Sequence, residues 1–212
     1  WVGDFQYGIF VLVWSMAVIV GNLSCFGFHT TIIRFVPEYF ATEKHDDLRG
    51  LLLTGRLFAI CSASVIAALG ALGVFAFSDA MESYYIAPFY LGMLILPMIA
   101  LGDTLDGTAR ANSWPIRALS PTYIIRPVMI LAVMLLALQM GCAANARTAI
   151  ISAIIATYAT TMFQLVSVTA RLDRKLPKGP RSIDLAHWFS VSLPIFLVEG
   201  FLYLLTNADV LV

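Results

Sequence analysis

HTTIIRFVPEYFATEKHDDLRGLLLTGR, residues 29–56, is a dense island of charge between two runs that carry none. Residues 5–28 before it and 57–78 after it contain no Asp, Glu, Lys or Arg. At about 1.5 Å per helical residue, each run is long enough to cross a hydrocarbon core roughly 30 Å thick. The island then reads as the water-facing connection between two membrane helices.

Composition agrees. Hydrophobic residues make up 60% of the chain and charged ones 12%, with a mean hydropathy of +0.86. That exceeds the apolar share of an ordinary soluble domain and predicts an all-α, polytopic transmembrane bundle. The formal net charge is zero, so bulk charge points to no nucleic-acid partner. Cys25, Cys61 and Cys142 lie in or beside apolar runs without C-x-x-C spacing, which predicts buried, inert thiols. No metal-ligand spacing and no cofactor motif is present. The chain opens on Trp1 without a signal-peptide n-region and stops at Val212 inside an apolar stretch, which predicts a fragment of a longer membrane protein.

Six spans are expected, at about residues 5–28, 51–77, 84–102, 124–140, 148–170 and 185 to the end. The connections alternate in positive charge: Arg34, Lys44, Arg49 and Arg56 fall in the first, Arg110, Arg117 and Arg126 in the third, and five more in the fifth. The second has no Lys or Arg and the fourth only Arg147. Twelve of the 13 basic residues thus share one side, which the positive-inside rule makes cytoplasmic. Loops 29–56, 103–126 and 171–184 are expected there, with Trp1 and Val212 outside. Residues 171–184, RLDRKLPKGPRSID, read as an interfacial linker whose cations meet anionic lipid headgroups.

Several positions invite a chemical role. In the sixth span Ser192, Glu199, Tyr203 and Thr206 fall on one helical face, with Asn207 at its edge. Ionisable groups at membrane depth are costly enough to suggest function. Glu199, roughly 20 Å in, is the stronger candidate for ion binding or gating; Asp209 approaches the outer interface, where solvation explains it equally well. Thr157, Thr160, Thr161 and Gln164 form a second stripe that reads first as hydrogen-bonding glue between helices. Asp103, Asp106 and Arg110 read as a solvated helix end, Asp106 and Arg110 being an i, i+4 pair with the acid first. Pro37 disfavours helix at Val36, so a bend is expected there that holds Arg34 near the interface beside Glu38. Arg34, Arg56 and Arg126 at the inner ends of spans either snorkel to headgroups or together offer bidentate bonds to a diphosphate. Pro97, Pro127 and Pro194 predict kinked spans, as transporters often have.

The run FGFHTTIIRFVPEYFATEKHDDLRGLL, with its R-F-x-P-E-Y core, resembles the second-helix exit of polysaccharide-type flippases, in the superfamily that also holds the multidrug and toxin extrusion transporters. WVGDFQYGIFVLVWS is similar to that family's junction of helices one and two, YIIRPVMIL to the start of its fifth helix and NADVLV to its seventh. The resemblance covers essentially the whole chain, as helices two to seven. It implies a two-lobed bundle of twelve to fourteen helices around a central cavity. Residues 1–170 would be most of the N-terminal lobe, 171–184 the inter-lobe linker, and 185–212 the first helix of the second lobe. It also implies a bacterial cytoplasmic-membrane protein, not an enzyme. Polyprenyl-diphosphate-linked oligosaccharide would be moved outward by alternating access for cell-surface polysaccharide synthesis, beside polymerase or assembly proteins. Arg34, Arg126 and Arg56 would then attract the diphosphate, Glu38 pair an arginine or help gate, and Glu199 line the cavity.

Two other functions stand beside it. A cation-coupled multidrug exporter of the same superfamily would use Glu199 or Asp209 as its ion site, but an arginine-rich mouth repels cationic drugs. A membrane-embedded polysaccharide polymerase or lipid-sugar transferase would be expected to carry a large charged outer loop, and the outer loops here are short.

Overall fold

Long apolar runs with no water-facing period leave only one way to satisfy the backbone inside a bilayer, and the chain takes it: the helix. The computed structural model describes residues 3–206, apart from the side chains of Tyr203 and Leu204. It is 85% helix, and no strand occurs among the described residues. Among the described residues nine α-helices follow one another: α1 (Asp4–Leu23), α2 (Phe28–Ala41), α3 (His45–Ala76), α4 (Ser83–Met93), α5 (Leu96–Ala111), α6 (Pro115–Ser120), α7 (Arg126–Gln139), α8 (Ala146–Lys175) and α9 (Leu185–Thr206). A 3-10 turn (Ser78–Ala80) precedes α4 and a π-helical turn (Pro121–Ile125) joins α6 to α7. Six segments are long and apolar enough to cross a membrane: α1, α3, α4 with α5, α6 through α7, α8, and α9. A multi-pass membrane bundle is therefore the architecture.

Helix α5 is the axis. It packs against α1, α2, α3, α6 and α8, and Leu96, Ile99, Leu101 and Leu105 on it are almost fully buried. The outer faces are apolar instead of polar: Leu57, Val65, Leu69, Leu72 and Phe75 of α3 and Leu131 and Leu136 of α7 are exposed, as lipid-facing side chains must be.

The connections are much shorter than the charge pattern suggested. Residues expected in the loop 29–56 are mostly helical, and α2 and α3 are joined only by residues 42–44, with Glu43 in the left-handed region (φ 55°). Likewise α5 runs on to Ala111, and the 103–126 segment is helical apart from the turn at 112–114. Helix α8 continues through Lys175 into the expected linker. Charge marks where helices leave the bilayer; it does not mark where they stop.

The interruption of helix expected at Val36 does not occur. Helix α2 passes through Pro37 unbroken, because Phe35 and Val36 are buried in the core among α2, α3 and α5, and that packing outweighs the local preference of the residue before a proline. The chain breaks earlier, at Ser24–Gly27 between α1 and α2, where Phe26 (φ 45°) and Gly27 (φ 73°) are both left-handed. Freed backbone groups at a membrane break need partners, and neighbouring helices supply them. Ser62 Oγ donates to the Ser24 carbonyl (2.7 Å) and Ser192 Oγ to Phe26 O, while the Cys25 thiol ties the break to α5 by donating to Ala100 O (3.3 Å). The second break, at Leu94–Ile95, takes a bond from Tyr158 Oη (3.0 Å). Pro97 falls in the first turn of α5, where a missing N–H costs little, whereas Pro127 lies just after the π-helical turn inside the continuous span from Pro115 to Gln139. Pro194 lies within α9.

Cys25 is buried as expected, but Cys61 and Cys142 are exposed on the outside of the bundle.

Candidate functional site

Helix α9 lies antiparallel against α2 and touches the break below α1. Trp188, fully buried, donates its indole N–H to Tyr39 Oη (3.0 Å) near the start of α9. Phe189 packs on Phe28 and Phe58, and Phe196 on Phe26. Gly27 permits this approach: its positive φ suits glycine, and a β-carbon there would come within 2.6 Å of the Ser192 carbonyl oxygen. Farther along, a polar seam opens. Thr30 Oγ1 donates to Glu199 Oε1 (2.6 Å), and His29 Nε2 lies 3.3 Å from Glu199 Oε2.

That seam is one wall of a cleft of about 370 Å³ between α9, the α1–α2 break, α5 and the π-turn. Asp103, Asp106 and Arg110 from α5 and Thr122 and Tyr123 from the π-turn complete it. Asp106 and Arg110 pair at 2.8 Å as their spacing predicts. Arg110 is exposed as a solvated helix end would be, but the two aspartates are partly buried. One carboxylate oxygen of Asp103 and one of Asp106 are buried with no protein partner, as is Nδ1 of His29. Three carboxylates, an imidazole and a guanidinium therefore share one cleft on membrane-spanning elements. Ionisable groups gathered in a cleft can bind ions, exchange protons or receive polar substrate. Among the described residues no His, Cys, Asp and Glu side chains are grouped as a metal site would require.

The three arginines expected to act together sit in three different environments. Arg34 is exposed on α2 with its guanidinium 5.7 Å from the Phe35 ring, and Glu38 is exposed one turn on. Thr30, Arg34 and Glu38, at i, i+4 and i+8, share one helical face, so both charges continue the line that begins at the Glu199 seam. Arg126 is only 6% exposed. Its Nη2 lies 3.5 Å from where a Gly102 β-carbon would be, beside Thr161 and Gln164, so it is an internal cation and not a mouth residue. Arg56 faces a separate cleft and donates to Thr169 Oγ1 (3.1 Å). Asp209 and Asn207 lie outside the described residues, as does the side chain of Tyr203.

The Thr157, Thr160, Thr161 and Gln164 stripe is buried throughout, and two of its four members bond to other helices, while Thr160 Oγ1 donates within α8. Thr161 Oγ1 donates to Met98 O (3.3 Å) and Gln164 Nε2 to Arg117 O (3.1 Å). His29, Asp103 and Asp106 in the cleft, and Thr30 beside it on Glu199, are the residues that sequence reasoning assigned to a loop or a helix end. A signal for them existed: Asp103, Asp106 and Arg110 share one helical face once α5 is continued to Ala111.

No protein-family model matches the chain, and neither a characterised protein nor a solved structure matches it.

Proposed function

We propose that the protein is a membrane transporter of the lipid-linked oligosaccharide flippase type, moving a polyprenyl-diphosphate-linked glycan across a bacterial cytoplasmic membrane. One observation carries this reading: the exposed face of α2 runs as a polar line from the Glu199 seam through Thr30 and Arg34 to Glu38. Arg34 and Glu38 belong to the same R-F-x-P-E-Y run that resembles polysaccharide-type flippases. An exposed guanidinium on that line is suited to bidentate bonds with diphosphate oxygens. The glycan, rich in hydroxyls, would follow the polar line into the cleft. The seam between α9 and α2, made of two side-chain contacts to one carboxylate, is the contact that alternating access would open and close. Helix α9 would then rock as the first element of a second lobe.

A second reading has its own support. Asp103, Asp106 and Glu199 make the cleft itself acidic, as a cation-coupled multidrug exporter would need. The two are separated by substrate. Full-length protein in proteoliposomes is offered a polyprenyl-diphosphate-linked oligosaccharide or, separately, a cationic dye under a proton or sodium gradient. Translocation of the glycan lipid supports the flippase. Gradient-driven dye efflux without it moves the assignment to the exporter. If neither is seen, a membrane-embedded polymerase or lipid-sugar transferase becomes the reading to pursue.

A further inference from the structure

A second charged cleft, about 490 Å³, opens between α3, the end of α8 and residues 176–184. It exists because that segment is fastened across the start of α3. Arg49 donates from Nε to Pro180 O (2.8 Å) and from Nη1 to Pro177 O (2.6 Å), and its Nη2 pairs with Asp46. The Ser182 N–H donates to Asp46 O (3.0 Å). Gly50 lets the two backbones meet, since any β-carbon there would collide with the Ser182 carbonyl. What read as a free interfacial linker is a strap.

Under the strap the charges do not balance. Arg49, Arg56, Lys178 and Arg181 line the cleft, against one carboxylate, Asp173. Lys178 and Arg181 are exposed at the rim. Arg56 is different. Its Nη1 is used by Thr169, but Nε and Nη2, which carry three N–H groups, are buried with no acceptor from the protein. Buried donors are nearly always satisfied, so this fork lacks an acceptor. We propose that the cleft binds a phosphoryl group, whose oxygens take the free N–H fork of Arg56 while Lys178 and Arg181 close over it from the rim. The tetrahedral oxygens of a phosphate ester match a guanidinium fork, and Arg56, Lys178 and Arg181 supply the charge, Arg49 being already paired with Asp46. The ligand would tie the strap to α3 and α8 and so hold the root of α9. Two sources offer this chemistry, an anionic phospholipid headgroup and a soluble phosphate. The proposal is independent of what the protein transports.

The test uses purified full-length protein in nanodiscs of phosphatidylcholine alone or with phosphatidylglycerol added. Native mass spectrometry reads retained phosphatidylglycerol, and calorimetry in the phosphatidylcholine discs reads binding of inorganic phosphate. Wild type is compared with Arg56→Gln, with the rim pair Lys178→Ala/Arg181→Ala, and with Arg171→Ala/Arg174→Ala, exposed cations outside the cleft. Binding of at least one probe by wild type, weakened about tenfold in Arg56→Gln and in the rim pair but not in the control pair, is the expected result. Selective retention of phosphatidylglycerol identifies a lipid headgroup; saturable binding of inorganic phosphate identifies a soluble ligand. If wild type binds neither, or if the control pair weakens binding as much as the rim pair, the proposal is overturned. Should Arg56→Gln fail to fold, the rim pair, whose side chains are exposed, decides alone.

Discussion

At Gly107, α5 passes so near α2 that a β-carbon would lie 2.5 Å from the backbone oxygen of His29 and 3.2 Å from its carbonyl carbon. That oxygen belongs to the first turn of α2 and cannot swing aside as a side-chain tip could. Ordinary carbon–oxygen contacts begin at about 3.3 Å, so Gly107→Ala must push the helices apart by roughly 0.8 Å at the crossing. Overpacking of this kind costs about 1–3 kcal/mol. Alanine offsets about 1 kcal/mol of that through its better helix propensity. A net loss of about 1 kcal/mol is expected, centred on the wall that holds His29 against Glu199. Gly73→Ala on α3 is the matched control, because nothing lies within 4 Å of its added β-carbon. It should gain up to about 1 kcal/mol from propensity alone. Thermal unfolding of detergent-purified full-length protein reads both. The two variants should melt about 4–8 °C apart, with Gly107→Ala the lower and below wild type. If Gly107→Ala melts with Gly73→Ala or above it, the inferred close crossing of α5 and α2 is wrong.

Further expectations can be checked with the same melts. Trp188→Phe and Tyr39→Phe each remove the one buried bond linking α9 to the end of α2 and should each cost about 1 kcal/mol, with the double variant costing less than the sum. Asn145→Ala removes the side-chain cap that accepts the Thr148 N–H at 2.9 Å and should cost about 1 kcal/mol. Arg34→Ala should leave the melting point nearly unchanged because the residue is exposed, whereas Arg126→Ala, which empties an internal polar site, should lower it by several degrees.

Much of the fold is legible in the sequence because bilayer thickness fixes the length of an apolar run. The charge-free stretch 57–78 forms the C-terminal two-thirds of α3 and ends just past it, and the alternation of basic connections follows the order of the six spans. The remainder was hidden where polar residues stay helical. Asp46, Asp47 and Arg49 look like loop yet form the first turns of α3, and Thr104 to Arg110 look like a helix end yet continue α5. The site was half legible. Glu199 stands out as a carboxylate at depth, but its partners His29 and Thr30 lie 170 and 169 residues away, and no local pattern links them. Grouping Arg34, Arg56 and Arg126 by shared chemistry also misled, since side chains at the same membrane level can face a helix groove, a strap or a core.

The proposed transport is tested most directly by following translocation of a polyprenyl-diphosphate-linked oligosaccharide in proteoliposomes of the full-length protein, with Arg34→Ala and Glu199→Gln beside wild type at matched expression and melting point. Translocation by wild type that falls at least about tenfold in Arg34→Ala and is also reduced in Glu199→Gln is the expected result, given the strength of charge-assisted phosphate bonds. Wild-type translocation untouched by either substitution would contradict the assignment of the α2 face and the Glu199 seam as the path, and no translocation at all would contradict the flippase itself.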